Sequence, residues 1–200
     1  YSLPAGTPVV GDSGWNNAIA YSTPAMGGLS ATVMVAAGEG AATSRGKNLG
    51  ANVTYRAGAL GVTAAWQDVK TQGVLGRPIS AFPGFSGQTA YQVGGSYDFK
   101  VVRLFAQYGR ISTDANLDVA TTNVHIGASV PIGKGALLAA YGTSDVDVAG
   151  PTPERTSKIM SLGYDYPLSK RTNVYTVYMS DKFTGLASGT TYAVGMRHRF

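Results

Sequence analysis

Apolar and polar side chains alternate with a two-residue period along much of this chain, most clearly in its last residues. One face of an extended strand there would carry Tyr192, Val194, Met196, His198 and Phe200, and the other Thr191, Ala193, Gly195, Arg197 and Arg199. Successive side chains of a strand point to opposite faces, so this segment predicts a strand between an apolar environment and water. An edge strand of a soluble sandwich could show the same alternation. Whether the strand lies in a membrane barrel or a soluble sandwich therefore depends on the pattern in the rest of the chain.

The pattern recurs in eleven segments of similar length. They cover residues 15–23, 29–39, 47–56, 60–70, 88–98, 101–111, 121–130, 135–145, 156–166, 172–180 and 190–200. Short breaks at 24–28, 57–59, 99–100, 131–134 and 167–171 alternate with longer ones at 40–46, 71–87, 112–120, 146–155 and 181–189. Short turns at one rim and longer loops at the other are typical of outer-membrane barrels. We therefore predict an all-β fold, a transmembrane antiparallel up-and-down β-barrel with about eleven strands in this chain.

The two faces of these segments differ in the way a barrel wall requires. Ten residues with a rise of about 3.3 Å and a tilt near 45° span about 23 Å, close to the apolar band of such barrels. The apolar rows are Leu29, Ala31, Val33, Val35; Leu49, Ala51, Val53, Tyr55; Leu60, Val62, Ala64, Trp66; Val102, Leu104, Ala106, Tyr108; and Val124, Ile126, Ala128, Val130. The opposite positions are mostly polar, Gly or Ala. In a soluble sandwich the apolar rows would pack on a second sheet, and the sequence leaves that alternative open.

Composition excludes several other classes of protein. The chain has no Cys, which removes disulfide frameworks and Cys metal sites. Its net charge of +5 comes from scattered Lys and Arg without a basic run, so a nucleic-acid surface is not indicated. No apolar run is long enough for a transmembrane helix. No motif points to a cofactor, and the beginning of the chain shows no signal-peptide pattern.

Four segments carry a family resemblance: Asn17-Ala-Ile-Ala-Tyr-Ser-Thr-Pro24, Gly28-Leu-Ser30, the stretch 163–175 with its Tyr-Pro-Leu-Ser-Lys-Arg-Thr-Asn turn, and the Gly-Met-Arg-His-Arg-Phe ending. They resemble the general diffusion porins of Gram-negative bacteria, especially the beta-proteobacterial type. The resemblance extends over nearly the whole chain from Asn16 onward.

This resemblance implies a sixteen-stranded, water-filled barrel that assembles as a homotrimer in the outer membrane. Residues 15–200 would then supply strands six to sixteen, and residues 1–14 would be the end of an inward-folded constriction loop. An odd count of eleven strands agrees with a partial barrel, since bacterial single-chain barrels have an even number. Gly14 and Ala20 stand where family members often carry Arg, which puts part of the usual arginine ladder in doubt.

The function expected from this architecture is passive diffusion of small hydrophilic solutes and ions. By strand parity, the candidate pore-lining residues are Asn52, Arg56, Gln92, Asp98, Arg103, Gln107, His125, Asp165, Arg197 and Arg199. Four Arg against two Asp predict a mild anion preference. Alternatively, Arg197 and Arg199 could pair with neighbouring carboxylates or with lipopolysaccharide at the rim.

The resemblance also implies that the barrel-assembly machinery reads the end of the chain as an assembly signal, here presented by Tyr192, Val194, Met196 and Phe200. Expected partners besides other subunits are outer-membrane lipid and lipopolysaccharide.

Two other functions compete with diffusion. A barrel enzyme would need a base beside a nucleophile or an acid pair, and the only histidines, His125 and His198, come with no Gly-x-Ser-x-Gly or His-Glu-x-x-His motif. We therefore expect no enzymatic activity. An adhesin or receptor would act through its extracellular loops, of which 71–87 is the longest and most aromatic.

Overall fold

The computed structural model describes residues 9–10, 14–38, 47–70, 74–75, 83–151 and 153–200. These residues form thirteen strands: β1 (Gly14–Trp15), β2 (Ala18–Ser22), β3 (Leu29–Ala36), β4 (Asn48–Ala57), β5 (Leu60–Val69), β6 (Val74–Leu75), β7 (Gly87–Asp98), β8 (Arg103–Asp114), β9 (Val119–Ile132), β10 (Gly135–Val148), β11 (Arg155–Pro167), β12 (Thr172–Phe183) and β13 (Gly189–His198). Within this described part, no helix is long and apolar enough to cross a membrane.

Eleven of the strands form one antiparallel sheet in which every strand pairs with its neighbours along the chain. The order runs from β2 through β3, β4, β5 and β7 to β13, and β1 and β6 make a separate two-stranded pair. All eleven predicted strands are confirmed, as is their up-and-down connection. The sheet is open in this chain, with β2 and β13 at its two edges.

Several predicted boundaries are wrong, and the reasons are local. The first barrel strand begins at Ala18 instead of residue 15, because Asn17 adopts a left-handed φ of 49° that interrupts the extended chain. Strand β8 begins at Arg103, because the preceding turn closes with a hydrogen bond from the Phe99 N–H to the Val102 carbonyl and has Lys100 at φ 74°. Strand β13 ends at His198, which leaves Arg199 and Phe200 beyond it.

The connections at the second rim are shorter than predicted. Residues 115–118, 149–154 and 184–188 join strands that continue through positions assigned to loops, such as Ser112, Thr113 and Ala120. Strands β9 and β10 have 14 residues each, which at the same tilt and rise span about 33 Å, more than the roughly 25 Å of an apolar band. The polar residues at these strand ends extend beyond the apolar band. The prediction of loops there was wrong because it relied on their polarity alone. The predicted loops at 40–46 and 71–87 lie largely outside the described residues.

Register places all the predicted apolar rows on one face of the sheet. Leu29 pairs with Tyr55, and Leu104 with Ala128; the intervening strands keep the same parity. Among the described residues no second sheet covers these rows, and Ile126 remains 56% exposed. A soluble sandwich would bury this face, so the sandwich alternative is wrong. The apolar face is large and continuous, as a lipid-facing surface requires.

Aromatic side chains lie toward both ends of this apolar face. One group includes Tyr55, Tyr97, Tyr164 and Tyr166 near the short turns, and the other Trp66, Tyr91, Tyr108, Tyr178 and Tyr192 toward the opposite rim. Neighbouring rings contact one another, with centroids 6.2 Å apart for Tyr91 and Tyr108 and 5.3 Å apart for Tyr178 and Tyr192. This arrangement is typical of the aromatic girdles at membrane interfaces.

Candidate functional site

The face opposite the apolar rows carries the predicted pore-lining residues. Cα partners share a face, and register links Arg56 to Gly61, Gly61 to Ser96, Gln107 to His125, and Asn173 to Arg197 across successive strands. The same parity holds on this face for Asn52, Arg56, Gln92, Asp98, Arg103, Gln107, His125, Asp165 and Arg197. Arg199 lies beyond β13, where its backbone N–H donates to the Arg171 carbonyl at 2.9 Å.

The charged members of this set are concentrated near the short-turn rim. Arg56 lies at the end of β4, Asp98 and Arg103 flank the turn between β7 and β8, and Asp165 lies near the end of β11. The middle of the face is neutral, with Asn52, Gln92, Gln107 and His125 among small residues. The predicted pore-lining charges therefore lie at one end of this wall, a placement that strand parity alone could not predict, whereas Arg155 and Asp181 lie on the same face near the opposite rim.

Arg103 and Asp98 are Cα partners but do not form an ion pair in the described structure. The Asp98 carboxylate accepts the backbone N–H of Lys100 at 2.7 Å and so stabilises the turn. The Arg103 guanidinium lies 5.2 Å from the Phe105 ring centroid and 3.4 Å from the Ser96 hydroxyl. A concave part of the wall includes Arg103 and Arg56, together with Thr54, Thr63, Gln107 and His125. Solutes at this surface would meet two guanidinium groups.

Arg197 is paired, in agreement with the alternative left open by the sequence. Its Nη2 lies 3.1 Å from Asp165 Oδ2, and the side-chain amide of Asn173 donates to the other oxygen of the same carboxylate. The two opposite charges are adjacent and contribute little net field at a distance. The count of four Arg against two Asp therefore overstates the positive charge, because among the predicted pore-lining residues of these strands only Arg56 and Arg103 remain, set against Asp98.

Glycines on the wall make room for rings on neighbouring strands, a feature that the sequence did not reveal. A Cβ added to Gly142 would lie 2.4 Å from Nδ1 of its partner His125, and one added to Gly195 would lie 2.4 Å from the ring of its partner Tyr175. Both rings therefore lie over the backbone of the adjacent strand. His125 is held in place as part of the wall, which favours a lining role for this residue.

The row proposed as an assembly signal lies on the apolar face at the sheet edge. Tyr192 is the Cα partner of Tyr178, and Val194 is 86% exposed. The Phe200 ring is fully exposed and contacts His198, with centroids 4.9 Å apart. The position is accessible, and the role in assembly stays a prediction.

Three comparisons with known proteins agree with this geometry. A family model described as Gram-negative porin matches residues 1–186. An outer membrane porin protein of Bordetella pertussis is 32% identical over 142 residues, which are 56% of this chain and 36% of that protein. Outer membrane porin protein 32 of Delftia acidovorans is 29% identical over 195 residues, which are 91% of this chain and 52% of that protein.

Among solved structures, the anion-selective porin from Comamonas acidovorans matches with a TM-score of 0.74 and 26% identity, over 93% of this chain and 60% of that chain. The chain thus spans between about a third and three fifths of the length of these three relatives. The family model covers most of the chain, and the up-and-down sheet with one apolar and one polar face agrees with it, so this protein belongs to the family of Gram-negative porins.

Proposed function

We propose that this chain forms part of a water-filled channel for passive diffusion of small hydrophilic solutes and ions. The protein is an outer-membrane protein, as its family and its relatives are. The observation that carries the channel function is the single sheet with an apolar face and an opposite face of Asn, Gln, Arg and Asp side chains. Such a wall separates lipid from water and gives solutes a hydrated path.

Planar-bilayer recording of the complete protein that contains this chain tests the proposal. We expect stepwise insertions with an ohmic conductance that rises in proportion to salt concentration, because ions in a wide pore remain hydrated. Bilayers that stay silent at protein levels giving steps with a known porin would refute it.

Residues 15–200 are proposed as strands six to sixteen of a sixteen-stranded barrel, and residues 1–14 as the end of an inward-folded loop. The two edge strands, β2 and β13, support this arrangement. Unpaired backbone groups in lipid are unfavourable by several kcal/mol each, so both edges need partner strands. The mass of the intact protein under denaturing conditions is a direct test, since five further strands and a loop would raise it well above the 20.7 kDa of this chain.

Mild anion selectivity is proposed from Arg56 and Arg103, whose charges Asp98 balances only in part. The Comamonas acidovorans relative is named an anion-selective porin, which supports the same sign here. Reversal potentials across a salt gradient measure it, and clear cation selectivity would refute the assignment.

A homotrimer in contact with lipid, lipopolysaccharide and the barrel-assembly machinery is proposed as the working state. Lys158 and Lys182 support the lipopolysaccharide contact. They are exposed Cα partners on the apolar face, beyond its apolar rows and toward the rim opposite the short turns. Two like charges directly opposite each other are destabilising unless an anion lies between them, and a lipid phosphate at the membrane surface has the right charge and depth.

We propose a channel in preference to an enzyme or a loop-based receptor. The described residues contain no group of three or more His, Asp or Glu side chains that could hold a metal ion. The loop 71–87 expected of a receptor lies mostly outside the described residues, and three other connections at that rim have between four and six residues.

A further inference from the structure

The chain just before β1 is attached to the polar face of the sheet by its backbone. Val10 is completely buried. Its N–H donates to Gln88 Oε1 at 2.8 Å, and its carbonyl accepts from Gln67 Nε2 at 3.2 Å. Side chains from β7 and β5 thus bind both backbone polar groups of one residue, which fixes the position of this segment against the wall.

The orientation of the Gln88 amide is set by a second hydrogen bond. Gln88 is 1% exposed, and its Nε2 donates to Thr113 Oγ1 on β8 at 2.8 Å. With the amide turned over, the NH2 group would face the N–H of Val10, donor against donor. A polar group buried to this extent destabilises the fold when its hydrogen-bond partner is removed. The Gln88 amide is therefore kept in the orientation that accepts from the Val10 N–H.

Apolar contacts fix the same segment at two places. Val10 packs with Val69 and Phe85 in a buried cluster, and Trp15 lies beside this cluster. The Trp15 ring also covers Gly50, where an added Cβ would lie 2.9 Å from the ring. Val10 and Trp15 are five residues apart and are both anchored to the wall.

We propose that Gln88 is a positioning residue that holds Val10 against the inner wall and thereby sets the free cross-section of the pore. This inference rests on the proposed channel function. Val10 is attached through both its backbone groups and so keeps a constant position on the wall of the lumen. Once Gln88 is lost, Val10 moves away from the wall, and the size limit for solutes changes.

Gln88→Ala in the complete protein tests the proposal, with Thr89→Ala as the matched control. Thr89 is the next residue on the same strand but lies on the opposite face, and its hydroxyl donates to Asp68 Oδ1 at 3.3 Å, so the control also removes one side-chain hydrogen bond. In liposome swelling with sugars of increasing size, we expect Gln88→Ala to change the ratio of the larger to the smaller sugar rate at least threefold, with added noise in single-channel current. Thr89→Ala should leave this ratio within about 1.5-fold of the unmodified protein. Should Gln88→Ala fail to fold, Gln67→Ala, which removes the other hydrogen bond from a half-buried side chain, should shift the ratio in the same direction.

A second readout does not depend on the pore. This chain has no Cys, so Val10→Cys introduces one thiol at the buried anchor. We expect maleimide to label it slowly, and at least tenfold faster when Gln88→Ala is added. Unchanged labelling would overturn the anchor, and faster labelling with unchanged sugar ratios would overturn its role in the pore. Faster labelling in a protein that conducts nothing would instead refute the channel function while the anchor stands.

Discussion

Substitution of Val53 by Arg tests the assignment of the two faces most directly. Val53 lies inside the apolar row of β4, between Ala31 on β3 and Ala64 on β5. Its row runs from Leu49 to Tyr55, so Val53 is near the middle of the apolar band. An Arg on the lipid face of a barrel costs about 2–4 kcal/mol at the midplane.

That cost corresponds to a fall of roughly 30- to 700-fold in the folding equilibrium constant, since about 1.4 kcal/mol is a factor of ten. The matched control is Asn52→Arg, one residue away on the opposite face. Its side chain is exposed on the polar face, so the new guanidinium stays in water and the expected change is below about 0.5 kcal/mol.

Reversible denaturant unfolding of the complete protein in lipid vesicles measures both variants. We expect Val53→Arg to lower the midpoint strongly and Asn52→Arg to alter conductance with little effect on the midpoint. Equal costs for the two variants would show that the faces are assigned incorrectly, and a larger cost for Asn52→Arg would show that they are inverted.

Three further predictions concern charge and assembly. Replacement of Arg56 and Arg103 together by Gln should reduce or abolish the anion preference measured by reversal potentials. These two guanidinium groups lie on the concave wall and have no carboxylate partner in the described structure. An unchanged reversal potential would contradict this prediction. Replacement of Lys158 and Lys182 by Glu should lower the amount of lipopolysaccharide that stays bound through purification at least severalfold. The phosphate released from the purified protein measures this amount. Equal retention would refute the proposed contact. Deletion of Phe200 should strongly reduce the fraction of protein recovered in the outer membrane, whereas the unfolding midpoint of refolded protein should hardly change. Because the ring is exposed, it contributes less to stability than the roughly 1.5–3 kcal/mol gained by full burial of a large apolar side chain. Normal recovery on fractionation would refute a signal role.

The two-residue period of the sequence is enough to determine the strands and their faces. A strand presents alternate residues to opposite sides, so a row such as Leu49, Ala51, Val53 and Tyr55 fixes which side is apolar without reference to any neighbour. The turn residues then separate the strands in order along the chain. The polar positions Asn52, Gln107 and His125 follow from the same parity, which is why they could be assigned to one face from the sequence.

What the tertiary structure decided was every property that depends on the neighbouring strand or on distant segments. Parity gave the faces of Asp165 and Arg197, but only the register brings them within 3.1 Å, so that the two charges offset each other. The sequence placed Gln88 at the start of a strand and said nothing of Val10, because a hydrogen bond between residues 78 positions apart has no local signature. Periodicity is a property of one strand, whereas charge balance and the anchoring of the segment around Val10 depend on which strands and segments come together.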